Sequence, residues 1–210
     1  MEPIAAALAW LDYAAVAVFA VSGALAAARR KHDIVTFGFF AAVTGVGGGT
    51  LRDLLIGAPV FWVEQPAYLI VCLLAAGAVW AFGFGTSRLK ALLWMDALGM
   101  AAYAVFGAAK ALSLGVHPVS AVVMGVLTAT FGGIVRDVLA EEPSVLLRRE
   151  IYITAAILGA VVFVALVGLK LTFWWAALIA FVAAFGLRAL AMWKHWSLPG
   201  FPGRAPSEDA

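Results

Sequence analysis

The sequence predicts an all-α membrane protein: seven transmembrane helices, set out as an inverted 3+3 repeat plus one C-terminal helix. Three observations predict it. The 210-residue chain is 65% hydrophobic and only 12% charged, with a mean hydropathy of +1.02, whereas a soluble domain is about half apolar and about a quarter charged. Seven apolar stretches reach the roughly 20 residues that a spanning helix needs. A set of charged residues, glycines and prolines also recurs at one fixed offset along the chain.

The first span, Leu8 to Ala28, follows Met1-Glu2-Pro3, which lacks the basic start of a signal peptide, so it is read as retained. The second runs from Ile34 to Ile56 and contains Gly45-Val46-Gly47-Gly48-Gly49-Thr50-Leu51-Arg52-Asp53. The third is Ala67 to Gly85 and the fourth Leu92 to Leu112. The fifth, Pro118 to Leu139, carries Thr130-Phe131-Gly132-Gly133-Ile134-Val135-Arg136-Asp137. The sixth is Ile151 to Leu169 and the seventh Phe173 to Met192. These group as a first three-helix repeat (8–86), a second (92–169), a seventh helix (173–193) and a polar, Pro/Gly-rich tail (197–210) expected to be disordered. No soluble domain fits in the short connections.

Short-loop lysines and arginines set the orientation. One side holds Arg29, Arg30, Lys31, Arg88, Lys90, Arg148, Arg149, Lys194 and Arg204; the other holds Lys170, with Lys110 near it. The basic side is expected to be cytoplasmic, which places the N-terminus outside and the C-terminus inside. No basic tract suits nucleic acid. Cys72 is the only cysteine, which excludes an intramolecular disulfide and a thiolate metal cluster.

Arg52 and Asp53 recur 84 positions later as Arg136 and Asp137 (136 − 52 = 84). The same offset pairs Asp12 with Asp96, Gly23 with Gly107, Thr44 with Thr128, Gly48 with Gly132, Gly49 with Gly133, Pro59 with Pro143 and Tyr68 with Tyr152. Each copy holds three spans, an odd number, so the second copy sits upside down relative to the first. Such repeats are related by a pseudo-two-fold axis in the membrane plane.

Glycine in a helix interior costs about 1 kcal/mol against alanine. Gly47, Gly48 and Gly49 are therefore expected to weaken or unwind the second span, and Gly132 and Gly133 to do so more mildly in the fifth. The freed carbonyls would become cation ligands, and a half-helix starting near Thr50 would present amide donors. Arg52 and Asp53 point about 100° apart on a helix, so each is expected to find a partner elsewhere. A charge near the bilayer centre costs at least about 2.5 kcal/mol, and such residues mark functional sites by default. A purely structural clamp is the competing reading, since small residues also let membrane helices pack closely.

The other candidates are read more plainly. Lys110, near a helix end, is expected to snorkel to the interface or to line an outer vestibule. Asp12 and Asp96, at the start of their spans, suit helix capping. Tyr13, Tyr68, Tyr103 and Tyr152 suit interfacial anchoring or packing, and Ser22 ordinary helix–helix hydrogen bonding. His32, His117 and His195 share no metal-ligand spacing. The glycine stretch lacks the Lys-Ser/Thr of a phosphate loop, and no nucleophile elbow is present, so an enzyme is not expected.

The paired segments Gly-Gly-Gly-Thr-x-Arg-Asp and Gly-Gly-x-x-Arg-Asp, each in the second span of a three-span repeat, resemble those of the bacterial trimeric intracellular cation (TRIC) channels. That family is also labelled glycine-transporter-like. The resemblance covers about Leu8 to Met192. It implies a homotrimer in the bacterial inner membrane, in contact with membrane lipid, with a pore through each subunit. It also implies potassium as the main permeant ion, no resident cofactor, and second and fifth spans kinked at Gly47, Gly48, Gly49, Gly132 and Gly133. By position, Arg52, Asp53, Arg136 and Asp137 are then the pore charges; Thr50 and Lys110 are further candidates for the pathway on the reading of the residues themselves. Phe131 and Ile134 replace Gly47 and Thr50 in the second copy, so the two half-pores are not equivalent and the second is expected to be narrower and drier.

Two function classes follow. One is a monovalent cation channel in which Asp53 and Asp137 favour cations while Arg52 and Arg136 restrict or gate. The other is a secondary transporter of a small amino acid such as glycine, since broken helices in inverted repeats are a common transporter plan. The charges flank the midplane rather than occupy it, which favours the channel.

Overall fold

The computed structural model describes residues 2–82, 88–144 and 150–199. Its helices are α1 (Glu2–Arg29), α2 (Ile34–Leu55), α3 (Phe61–Glu64), α4 (Ala67–Phe82), α5 (Arg88–Ser113), α6 (Pro118–Leu139), α7 (Ile153–Gly168) and α8 (Phe173–Lys194). The seven expected spans are α1, α2 and α4 to α8. The one-turn helix α3, in the connection after α2, is an addition. Five of the helices are long and apolar enough to cross a membrane. Helices α4 and α7 have 16 residues each, about 24 Å of helix against a hydrocarbon core of about 30 Å. Gly83 to Gly85, Arg148, Arg149 and Arg204 lie outside the described residues. So does the tail from 200 onward, while Ser197 at its start pairs with Glu150 in an isolated antiparallel bridge.

The helix ends follow local chemistry. Asp33 caps α2, its carboxylate accepting from the Thr36 amide at 2.9 Å and the Thr36 hydroxyl at 3.2 Å. Pro118 opens α6, where its missing N–H costs nothing, and His117 Nδ1 accepts from Val119 N at 3.3 Å. Gly57, at φ +68, takes the left-handed conformation that ends α2.

Small residues let the helices pack closely. Ala20, Ala24 and Ala27 on α1 and Ala97, Ala101, Ala104 and Ala108 on α5 are fully or almost fully buried, at the spacing of one helix face. Helix α1 packs on α2, α4 and α5; α5 packs on α6 and α7; α2 crosses α6. Helix α8, outside the repeat, covers α7 and α5. Leu74, Phe82, Trp175 and Val182 remain exposed on the outside, as an acyl-chain environment requires.

The glycines at the α2–α6 crossing do not unwind their helices. Both helices are uninterrupted through Gly47–Gly49 and Gly132–Gly133. A Cβ on Gly48 would collide with the carbonyl oxygen of Thr128, and one on Gly132 with that of Thr44. Gly47 meets the Gly132 α-carbon in ordinary contact. The glycines serve backbone-to-backbone approach, and packing against the partner offsets their poor helix propensity. Thr44 and Thr128 are related by the 84-residue offset, as are Gly48 and Gly132. The crossing is therefore the pseudo-two-fold itself, written in reciprocal contacts.

Candidate functional site

Each Arg-Asp pair stands near the C-terminal end of its helix, α2 or α6, on opposite sides of this crossing. The cluster at the end of α2 centres on Asp53, which is wholly buried. Its Oδ1 accepts from Arg52 Nε and Nη2, each at 2.8 Å, and from Lys110 Nζ at 2.9 Å. Its Oδ2 accepts from the Phe61 amide at 3.1 Å. Neighbouring residues on one helix do bond here, because the long arginine side chain curls back onto the short carboxylate. The expectation that each would find only other partners is corrected. Helix α3 exists where it does in part because Asp53 holds its first amide. The Phe61 ring then lies 5.9 Å from the Arg52 guanidinium and 6.0 Å from the Lys110 ammonium, within cation–π range.

Lys110 does not snorkel. From α5 it turns inward to Asp53, with its side chain one-third exposed. A buried carboxylate is a stronger attractant than a distant interface. A cavity of about 310 Å³ opens at this end, lined by Asp12, Arg52, Phe61, Phe106, Lys110 and Phe173 among others. Thr50 starts no half-helix. Its hydroxyl donates to the Val46 carbonyl at 2.7 Å and accepts from Trp62 Nε1 at 2.8 Å, tying α3 to α2.

The cluster at the end of α6 centres on Arg136, which is 1% exposed. Its Nε and Nη2 donate to Asp137 Oδ1 at 2.9 and 2.8 Å. Its Nη1 donates to Asp96 Oδ1 and, at 2.6 Å, to Ser22 Oγ. Such charge-assisted bonds on a desolvated guanidinium are the strong kind. The cavity beside this cluster is only about 20 Å³. Nearby, Arg29 and Arg30 reach Glu142 at 3.3 and 3.5 Å, and Arg88 Nη1 donates to the Ala28 carbonyl at 3.0 Å.

Asp12 and Asp96 are not caps. Helix α1 begins at Glu2 and α5 at Arg88, so both carboxylates lie turns inside their helices. Asp96 binds Arg136, and Asp12 Oδ2 accepts from the Tyr68 hydroxyl at 2.7 Å. Tyr68 and Tyr152 are buried at the two clusters rather than anchoring an interface. The 84-residue offset joins Asp12 to Asp96 and Tyr68 to Tyr152, and it was the available signal for all four. Arg188 on α8 is a further buried charge, one that the repeat does not point to. It is 2% exposed, with Nη2 at 2.7 Å from Glu150 Oε2 and its guanidinium 5.2 Å from the Tyr152 ring.

Comparison with known proteins fits this geometry. A family model described as glycine transporter matches residues 9–83 and 93–168. The TRIC trimeric intracellular cation channel orthologue from Rhodobacter sphaeroides superimposes with a TM-score of 0.87 at 50% identity, covering 89% of this chain and 97% of that one. The chain belongs to the TRIC family. A prokaryotic TRIC channel crystallised in 0.5 M KCl has a TM-score of 0.85 at 27% identity, over 94% of this chain and all of that one. The UPF0126 inner membrane protein YadS of Escherichia coli is 38% identical over 198 residues, covering 91% of this chain and 95% of its own. The solved TRIC relatives are channels, not enzymes.

Proposed function

We propose that the chain is a cation channel of a bacterial inner membrane, with potassium as the main permeant ion and a path lined by α2 and α6 in each subunit of a homotrimer. The observation that carries this reading is the ammonium of Lys110 on Asp53 Oδ1, 2.9 Å away at the wall of the outer cavity. A buried carboxylate already holding a tethered monovalent cation is a natural station for a free one. Acidic groups at both ends select cations, and the arginine beside each bars passage while it holds that carboxylate. Release of Lys110 opens the outer station. At the inner end, Arg136 bonds to three side chains beside a cavity of about 20 Å³, which suits a closed gate.

The reading keeps the repeat units at 8–86 and 92–169, with 173–193 as the seventh helix. Arg29, Arg30 and Arg88 share one end of the molecule, which supports a cytoplasmic inner side with the N-terminus outside. Membrane lipid surrounds the trimer, and no cofactor is required.

Purified protein in a planar bilayer under a KCl gradient tests the proposal. Unitary steps that reverse near the potassium equilibrium potential are expected. Silence there, with saturable glycine uptake into liposomes, overturns it in favour of a secondary transporter.

A further inference from the structure

The two clusters hold the same four repeat-related residues, two aspartates, an arginine and a tyrosine, in two different arrangements. At the outer end Tyr68 donates to Asp12 at 2.7 Å, and Arg52 serves Asp53. At the inner end the buried hydroxyl of the repeat-related tyrosine, Tyr152, makes no hydrogen bond among the described residues, and Asp96 is taken by Arg136 instead. Tyr152 is nevertheless beside that carboxylate. Its hydroxyl and Asp96 Oδ1 each lie 3.2 Å from the point where a Cβ on Gly133 would stand.

Arg188 joins the inner end from α8, the helix that stands outside the repeat. Its guanidinium lies 5.2 Å from the Tyr152 ring, donates to Glu150 Oε2 at 2.7 Å and reaches the Ile151 carbonyl at 3.4 Å. Stacking and ion pairing together pin Glu150 to Tyr152, the short stretch ahead of α7.

We propose that Arg188 is a positioning residue for the inner gate: by holding Tyr152 in place it leaves Asp96 to Arg136 and keeps that end closed. When Arg188 lets go, Tyr152 takes Asp96 as Tyr68 takes Asp12. Arg136 then keeps Asp137 and Ser22 alone, and the inner end loosens. A switch needs two arrangements of similar free energy. The inverted repeat shows both, one at each end of the molecule, built from repeat-related residues. The proposal deepens the channel reading and rests on it for the meaning of closed and open.

The test is single-channel recording of Arg188→Gln, Arg188→Lys, Glu150→Gln and Tyr152→Phe, with amide hydrogen exchange on the same preparations. Arg188→Gln is expected to raise open probability about fivefold, the low end of coupling between linked sites, at unchanged unitary conductance. Arg188→Lys, which keeps the ion pair with Glu150, restores most of the closure. Glu150→Gln, the milder variant, shifts gating in the same direction by less. Tyr152→Phe keeps the ring under Arg188 but cannot bind Asp96, so it lowers open probability and cancels the effect of Arg188→Gln in the double variant. In exchange, Arg188→Gln speeds residues 134–140 and leaves 50–56 unchanged. Opening by both Arg188→Gln and Tyr152→Phe, or no shift in gating or exchange, overturns the proposal. If the unmodified protein passes no current, the channel reading falls and exchange alone decides. Loosening confined to 134–140 and reversed by Tyr152→Phe supports the positioning role; uniform or absent loosening refutes it.

Discussion

Gly48 sets its bare α-carbon against the carbonyl oxygen of Thr128, and the repeat returns the contact as Gly132 against Thr44. Backbone meets backbone at the centre of the molecule, so neither side can yield by rotating a side chain. Gly48→Ala or Gly132→Ala must therefore push α2 and α6 apart, at a cost of about 1–3 kcal/mol. Gly77 on α4 has nothing among the described residues within 4 Å of its missing Cβ, so Gly77→Ala gains up to about 1 kcal/mol of helix propensity. Thermal unfolding in detergent should show the first two variants melting below the parent and the third at or above it. Equal melting of all three would refute the tight crossing.

The span count and the repeat were legible because both rest on rare events: long apolar runs, and matched Arg, Asp and Pro inside them. The fate of the glycines was not, because helix propensity describes an isolated helix and the partner carbonyl was invisible in one dimension. Asp12 and Asp96 were misread for a related reason. Helices α1 and α5 begin several residues before their apolar runs, at Glu2 and Arg88, so residues at the edge of the hydropathy signal lie inside the fold. Lys110 was judged by its distance from a helix end, while its destination, Asp53, depends on how α5 meets α2. Arg188 carried the same warning as Arg52, an ionisable residue within a span, and only its lack of a repeat partner hid it.

Neutralising the inner carboxylate separates gate from scaffold. Asp137 Oδ1 receives two bonds from Arg136, and Asp137→Asn keeps the shape but removes the charge. A charge-assisted bond is worth about 1.5–3 kcal/mol, so the closed–open balance should shift about tenfold or more. Asp33→Asn is the control, since asparagine caps a helix as well as aspartate. Bilayer recordings should show a changed open probability or conductance for the first and the parent's behaviour for the second. Two silent substitutions would remove Asp137 from the path.

Lys110→Met clears the tethered cation from Asp53 and leaves Arg52 as the remaining charged partner of that carboxylate. Its ammonium is part-exposed at the cavity wall, so the effect should follow salt. The Debye length falls from about 30 Å at 0.01 M to about 3 Å at 1 M. Unitary potassium conductance of Lys110→Met should exceed the parent's at low KCl and converge with it near 1 M, while Lys110→Arg should track the parent. A conductance unchanged at both salts would mean that Lys110 does not stand at the outer station.

Acid should loosen the start of α2 only below the ordinary aspartate range. Asp33 is fully exposed, and the hydrogen bond from the Thr36 amide holds its carboxyl below the usual aspartate range. A carboxylate with a lowered folded-state pKa stabilises above its unfolded value and loses that contribution as pH falls through the folded one. The cap therefore persists through mildly acidic pH and is lost only as pH drops from the ordinary aspartate value to the lowered one. Amide exchange at Thr36, after correction for the intrinsic rate, should accelerate in that window and nowhere above it. In Asp33→Asn the same profile should be flat, because the amide oxygen accepts from Thr36 without titrating. An Asp33 midpoint at or above the ordinary aspartate value would show that the Thr36 bond does not govern the cap.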